Sequence, residues 1–402
     1  MGTELIAVER DTGIRRPVVW FMAVAAALGT AGIYPLQPAI AAVGRSLDAS
    51  LAEVGVALAC GPVGYMLGLA LLVPLIDRSA PRTVVSVQFW ALGIALAAAA
   101  AARSPWLLGI AVGLIGAGSS VGAQLSSVAG RFADPGRRAT VLGIVTAGIS
   151  AGILVGRIVG GWLAEAIGWR GMLLLLAAAC AAVGSAARAV LPAANGDTAT
   201  SYLSLLRGLP GLYARHPILR LAASRGALWF FAFCAIWAGL AVALSEPPFS
   251  YSPERIGLYA CAGLLGIIAT RIAGTWTDRV GPRRVILTGL ALAAIATAAL
   301  SATLSDTPIT LLCLALFDAG LFAAQVANQS TVLAIDPSAT ARFNSAYMLV
   351  YFVGGSAGTA FGAAAVAWFG WTATTLIALV TIILAAAITL VVRSTGARRT
   401  RP

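Results

Sequence analysis

No lysine occurs anywhere in the 402 residues, so the net charge of +12 is carried wholly by arginine. A basic balance of that kind is not by itself a sign of nucleic-acid binding; its meaning depends on where the arginines fall. Histidine is almost absent as well: His216 is the single one, and no serine or cysteine of a predicted cavity lies near it to form a nucleophilic pair. The five cysteines, Cys60, Cys180, Cys234, Cys261 and Cys313, are odd in number, sit inside apolar runs and show no C-x-x-C spacing. Neither disulfides nor a metal site is expected from them. The sequence also has no phosphate loop and no nucleotide-binding module. These absences argue against an enzyme, an ATP-driven pump or a bound cofactor.

Charge of either sign is scarce, at 10% of residues, while 59% are hydrophobic and the mean hydropathy is +0.91. Such values lie far outside the soluble average and indicate a membrane protein. Spans of about 20 residues joined by short loops allow roughly twelve crossings. Apolar runs between charged breaks place them near 17–42, 52–76, 83–102, 105–130, 139–164, 170–192, 218–244, 255–276, 284–303, 308–334, 343–368 and 372–392. The N-terminal run behind Arg10, Arg15 and Arg16 reads as an uncleaved first span, because everything downstream is membrane too. Twenty of the 27 arginines fall on one side of this arrangement, and only Arg45, Arg103, Arg170 and Arg255 on the other. By the positive-inside rule both termini and the central connection are cytoplasmic.

The expected organisation is a cytoplasmic tail (1–16), a six-helix half (17–192), a linker (193–217), a second six-helix half (218–392) and a basic tail (393–402). Within the linker, leucines interrupted by arginines predict a short interfacial amphipathic helix, with His216 at the membrane edge.

The halves are copies of one another. In GIVTAGISAGILVGRIVGGWLAEAIGW, Gly152, Gly156, Gly160, Gly168 and Trp169 recur 202 residues later as Gly354, Gly358, Gly362, Gly370 and Trp371. The loop IDRSAPRT at Ile76–Thr83 matches TDRVGPRR at Thr277–Arg284, and Gln124 matches Gln325, both with a shift of 201. Parallel repeats of this kind are a transporter design with the binding site between the halves near the midplane. Small residues at every fourth position form a face that lets a neighbouring backbone approach, here expected to be a moving seam.

With these features the chain resembles the major facilitator superfamily over nearly its whole length. Its loop motif G-x-x-x-D-R-x-G-R-R is well matched by Gly274, Asp278, Arg279, Gly281 and Arg283. The first copy keeps Asp77, Arg78 and Arg82 but has Val73 and Ala80 where glycines are usual. These charges are expected to latch one conformation by pairing with one another and with a neighbouring helix end. The stretch Gly143–Trp169 resembles the fifth-span motif of the superfamily's drug/proton antiporters, G-x8-G-x3-G-P-x2-G-G: Gly143, Gly152, Gly156, Gly160 and Gly161 stand in place and Arg157 replaces the proline. The resemblance implies an all-α fold of two pseudo-symmetric six-helix halves, a monomer, and a cavity lined by spans one, four, seven and ten.

Charges at depth single out the site. Asp318 is the one acid well inside a span, about 15 Å into its helix at 1.5 Å per residue. A carboxylate there should be protonated or matched with an arginine, and either state suits proton coupling. Arg157 is the cation expected to face it or the cavity, while Arg225 and Arg271 sit nearer the cytoplasmic side. Tyr34, Gln37, Gln124, Trp229, Phe233, Trp237, Gln325 and Asn328 join Arg225 as the expected substrate contacts. The reading is a proton-coupled exporter of small organic molecules or drugs, working by alternating access in a bacterial inner membrane, with protons and lipid as its other partners. One alternative is an importer or exchanger of an anionic metabolite held by the arginines; another is a non-transporting membrane sensor.

Overall fold

The computed structural model describes residues 14–134, 136–193, 209–336 and 339–396. Among these, nine helices are long and apolar enough to cross a membrane, and two of them, Thr140–Val190 and Arg342–Val391, are about twice the length one crossing needs. At 1.5 Å per residue each would reach some 75 Å, so each must fold back on itself. They do so at single glycines: Gly168 (φ 75°, ψ 156°) and Gly370 (φ 79°, ψ 173°). A side chain is strained at that φ, so glycine is the residue that lets a helix stop and the next begin without a loop.

Counting each of those as a pair, and adding the shorter first helix, gives twelve segments. They are α1 (Arg16–Ala31), α2 (Leu51–Ile76), α3 (Pro81–Ala100), α4 (Pro105–Phe132), α5 (138–167), α6 (169–190), α7 (Pro217–Ser245), α8 (Pro253–Val280), α9 (Pro282–Thr303), α10 (Thr307–Leu333), α11 (340–369) and α12 (371–396). Proline opens α3, α4, α7, α8 and α9, where its missing N–H costs nothing. Ser50 and Glu53 close a capping box at the start of α2, and Asp306 accepts the Ile309 N–H at the start of α10.

The first span differs from its sequence expectation. The helix ends at Ala31, and the chain runs through turns to a separate short helix, Ile40–Leu47. Pro35 and Pro38 lack the N–H that would continue the helix, which leaves Gln37 on an irregular stretch. The segment Leu209–Arg215 packs Leu212 into a buried cluster with Leu219, Phe343 and Tyr347. The Tyr213 hydroxyl donates to the Ala346 carbonyl, and burial pushes its phenol up to about 12. His216 meets Phe343 edge to face at 4.8 Å. Residues 194–208 of the expected linker, 1–13 of the first tail and 397–402 of the last lie outside the described residues.

The glycine repeat is a packing seam, and it lies within each half rather than between them. A Cβ at Gly152 or Gly156 would collide with the backbone of Ala27 or Ala31 on α1, and one at Gly160 with Pro35. In the second copy Gly354, Gly358 and Gly362 abut Ala227, Phe231 and Ala235 on α7. Each row therefore fuses two helices of the same half. Gly143 has open space beside it and takes no part. The seam between halves includes one glycine of the motif read from sequence, Gly161, against Pro253, together with Gly257 against the backbone of Arg157 and Gly55 against Ala363. All lie toward the end remote from the termini. Toward the termini, Gly143 on α5 and Gly274 on α8 have nothing within 4 Å. The halves are closed at one end and parted at the other.

Candidate functional site

Arg157 and Asp318 meet at the closed seam through an aromatic intermediary. Asp318 is 1% exposed and Arg157 5%, yet no ion pair joins them. The Trp237 indole Nε1–H donates to Asp318 Oδ1 at 3.2 Å, and the Arg157 guanidinium carbon lies 4.4 Å from the centre of that indole's rings. One tryptophan thus carries a cation on its face and a carboxylate at its N–H edge. The two charges are close enough to feel each other's field.

The surroundings explain how this is held. Gln37, freed by the proline-broken stretch after α1, accepts the Arg157 Nε–H at 3.0 Å. Tyr34 lends a ring face at 4.9 Å and Phe233 another at 5.9 Å. A ring face stabilises a desolvated guanidinium by about 2 kcal/mol or more, so three of them plus one neutral acceptor hold the charge without neutralising it. Around Asp318 the room comes from α8: a Cβ at Gly263 would sit 3.2 Å from its Oδ2, and one at Gly266 3.2 Å from its Cβ. Leu154 of α5 approaches the same Gly263 from the first half, which puts the carboxylate at the interface that must open if the halves rock. Of the residues picked from sequence, Asp318, Arg157, Tyr34, Gln37, Phe233 and Trp237 converge here.

A second group lies nearer the termini and wholly inside the second half. Arg225 donates from Nε to Asn328 Oδ1 at 2.6 Å and from Nη2 to Thr331 Oγ1 at 3.3 Å. Asn328 Nδ2 reaches the Ala222 carbonyl and the Tyr347 hydroxyl, and that hydroxyl donates to Gln325 Oε1 at 2.5 Å. The network ties α7, α10 and α11 together. Gln325 and Trp229 also border a small cavity, about 30 Å³, with Phe230, Phe233, Phe322 and Tyr351. Arg225 and Asn328 therefore spend their polar groups on each other and on neighbouring helices.

Gln124 belongs to neither group. Fully buried in the first half, it donates to the Leu72 carbonyl at 2.7 Å, where the regular part of α2 ends; the expected substrate contact is a helix-end contact. Arg271 is exposed. Among the loop charges, Arg283 donates to the Thr389 and Leu390 carbonyls at 3.2 Å, tying α9 to α12 within one half. The backbone N–H of Arg82 likewise reaches the Pro192 carbonyl after α6. Arg78, Asp278 and Arg279 are exposed, and the side chain of Asp77 lies outside the described part. The departure at Ala80 has a backbone counterpart: Gly281 takes φ 86°, whereas Ala80 stays at φ −59° behind a short 3-10 turn, Val73–Asp77.

Sequence reading missed Phe322, Tyr347 and Tyr351, as well as the two glycines that flank Asp318. The rings are stacked on one another, Phe230 on Tyr351 at 4.0 Å and Phe233 on Phe317 at 6.4 Å. Gly263 and Gly266, three apart on one helix face, were the available signal.

The geometry accords with comparisons to known proteins. The family model of the Major Facilitator Superfamily matches residues 19–253 and 226–402. The uncharacterized transporter YgaY of Escherichia coli O157:H7 is 30% identical over 356 residues, 88% of this chain and 90% of that protein. A probable transporter of Streptomyces coelicolor is 29% identical over 371 residues, covering 88% and 86%. Among solved structures, a bacterial homolog of the human lysosomal transporter Spinster, inward-facing and unoccupied, superposes with a TM-score of 0.78 at 16% identity, over 93% of this chain and 96% of that one. The nucleoside transporter NupG superposes with a TM-score of 0.76 at 13% identity, over 93% and 99%. With two pseudo-symmetric halves, buried charges at their seam and a family match along almost its whole length, the chain belongs to the major facilitator superfamily of transporters.

Proposed function

We propose that this transporter is a proton-coupled exporter of small organic molecules, working by rocking its two halves about the site at Arg157, Trp237 and Asp318. The observation that carries the reading is a carboxyl group buried at the seam between the halves, in contact with one indole N–H and no counter-ion. Parting the halves admits water to it, and water changes the free energy of its charged form by several kcal/mol. Proton uptake or release is thereby tied to which face is open. The arginine distribution supports cytoplasmic termini in a bacterial inner membrane, so the parted end faces the cytoplasm, where an exporter loads. Outward movement itself rests on the likeness of the Gly143–Gly161 stretch to the antiporter motif.

A second reading keeps the fold and makes the protein an importer or exchanger of an anionic metabolite. It is favoured by Arg157, which contacts rings and an amide but no carboxylate.

The test is proton flux in proteoliposomes under an imposed pH gradient, with wild type beside Asp318→Asn, across cationic, neutral and carboxylate compounds. Compound-dependent proton movement that the variant loses supports coupling at Asp318. Equal gradient-driven transport by both proteins sinks that assignment, and anion movement without protons hands the site to the second reading.

A further inference from the structure

Asp318 is dry although the end of the molecule toward the termini is parted. It is 1% exposed, while Gly143 and Gly274 at that end have open space beside them. A pair of rings stands between the two. Phe322 follows Asp318 by one turn of α10, about 6 Å nearer the termini. Its ring packs on α8: a Cβ at Gly266 would lie 2.6 Å from Phe322 Cδ2 and 3.2 Å from Asp318 Cβ. Phe233 of α7 meets Phe322 edge to face, with ring centres 5.8 Å apart at 77°, and lies nearly parallel to the buried Phe317, at 7°. Phe233 and Phe322 are half-buried, so exposure stops at these two rings.

The other side of the pair is polar. Phe233 and Phe322 share a cavity of about 30 Å³ with Trp229 and Gln325, which is room for a single water molecule. Trp229 is 1% exposed and its buried Nε1–H has no acceptor; a water in the cavity satisfies it. Gln325, half-buried, accepts from Tyr347 at Oε1 and has an amide NH₂ besides. It lies seven residues past Asp318 on the same helix, about 10 Å along the axis, beyond the reach of a hydrogen bond from that water to the carboxylate. Proton transfer needs an unbroken chain of donors and acceptors, and a constriction of apolar rings breaks it by excluding water.

On its other sides Asp318 has Gly263 of α8, with Leu154 of α5 beyond it, and Trp237 of α7, which carries the Arg157 guanidinium. Those contacts reach across the seam, so moving them is the rocking itself. Phe233 and Phe322 both belong to the second half, and their rings can turn aside while the seam stays closed.

We propose that Phe233 and Phe322 form a proton gate, holding Asp318 apart from the water at Trp229 and Gln325 until a guest entering from the parted end displaces them. The proposal rests on the proton-coupled reading of Asp318 and supplies a condition which that reading needs. An acid open to the cytoplasm whenever that end is parted would exchange protons with or without a guest; an acid behind displaceable rings exchanges them when a guest is there.

The experiment times hydrogen–deuterium exchange at the Asp318 carboxyl by infrared spectroscopy of the protein in nanodiscs, at acid pH, with the C=O band assigned by its loss in Asp318→Asn. Phe322→Ala should exchange at least about tenfold faster than wild type, and Phe322→Leu, which leaves an apolar side chain in the gap, should fall between them. Phe361→Ala removes a ring packed on Phe231 at 5.3 Å, away from the carboxylate, and should leave the rate unchanged. Trp229→Phe added to Phe322→Ala deletes the donor that holds the water and should slow the exchange again; an unchanged rate there strikes the water from the proposal. In proteoliposomes under a pH gradient with no compound added, Phe322→Ala should leak protons, and Asp318→Asn should stop the leak. Wild-type exchange that is complete on mixing overturns the gate whatever the variants do. So does equal acceleration by Phe361→Ala, or a leak that survives Asp318→Asn. Fast exchange in Phe322→Ala, with no proton movement by any of the proteins with or without compounds, leaves the gate standing and defeats the proton-coupled reading instead.

Discussion

Gly257→Ala is the perturbation with the sharpest expected signature. A Cβ at that position would lie 2.6 Å from the Arg157 carbonyl oxygen and 3.4 Å from the Gly161 Cα. Both neighbours are backbone of α5, in the opposite half, and cannot swing aside as a side-chain tip would. Restoring ordinary contact near 3.5 Å requires α5 and α8 to separate by on the order of 1 Å at their closed end. Overpacking of this kind costs about 1–3 kcal/mol, and it is charged only to the conformation in which the two helices touch. The closed-end state should lose roughly five- to hundredfold in relative population. Two measurements read this: the distance between spin labels on the two loops at the closed end, which should lengthen or become bimodal, and amide exchange across 253–263, which should rise. Gly156→Ala is the control. Its Cβ would be 2.7 Å from the Ala31 oxygen, inside one half, so it should lower thermal stability with no change in label distance. If Gly257→Ala behaves like Gly156→Ala, with lower Tm and unchanged distance, then the seam between halves has been wrongly placed.

Two further outcomes follow from the same geometry. Gly168→Ala and Gly370→Ala each force a side chain onto φ near 75–80° with ψ of 156° and 173°, a region essentially confined to glycine and a strain of about 1–3 kcal/mol, and should lower Tm in either conformation; unchanged Tm in both would mean that the hairpins relax. Trp237→Phe keeps a ring beneath Arg157 but removes the N–H that reaches Asp318, worth about 1–3 kcal/mol to a buried carboxylate. It should slow proton-linked flux about tenfold or more with little loss of Tm, and wild-type flux would show that the indole N–H is dispensable.

Much of the architecture was legible because duplication leaves its mark in residues that cannot be exchanged. Gly168 and Gly370 need a positive φ, and Gly152 through Gly362 need the absence of a Cβ, so both copies kept them. The buried charges were equally legible, since Arg157 and Asp318 break apolar runs and stand out in any hydropathy reading. What could not be read was the partner of each polar group. Gln124 and Gln325 occupy matching positions, yet one amide donates to the Leu72 carbonyl and the other accepts from Tyr347. Which of these happens depends on where α2 ends and on what α11 brings alongside. Which rings face one another was hidden for a similar reason. Phe230 and Tyr351 belong to different helices, and a ring that faces lipid has the same sequence signature as one that faces another ring.

Holding Arg157 by ring faces also bears on how quickly the site can turn over. A salt bridge is a directed bond pair: releasing it exposes two bare charges at once, and the barrier grows with the quality of the pairing. A guanidinium held by three ring faces and the one amide of Gln37 sits in a shallower well, already out of bulk water. An arriving acid group therefore meets a cation that is dry but not paired with a carboxylate. Exchange between guest, indole and carboxylate can then proceed as a graded hand-over, with the rings acting as a lubricant rather than as a lock.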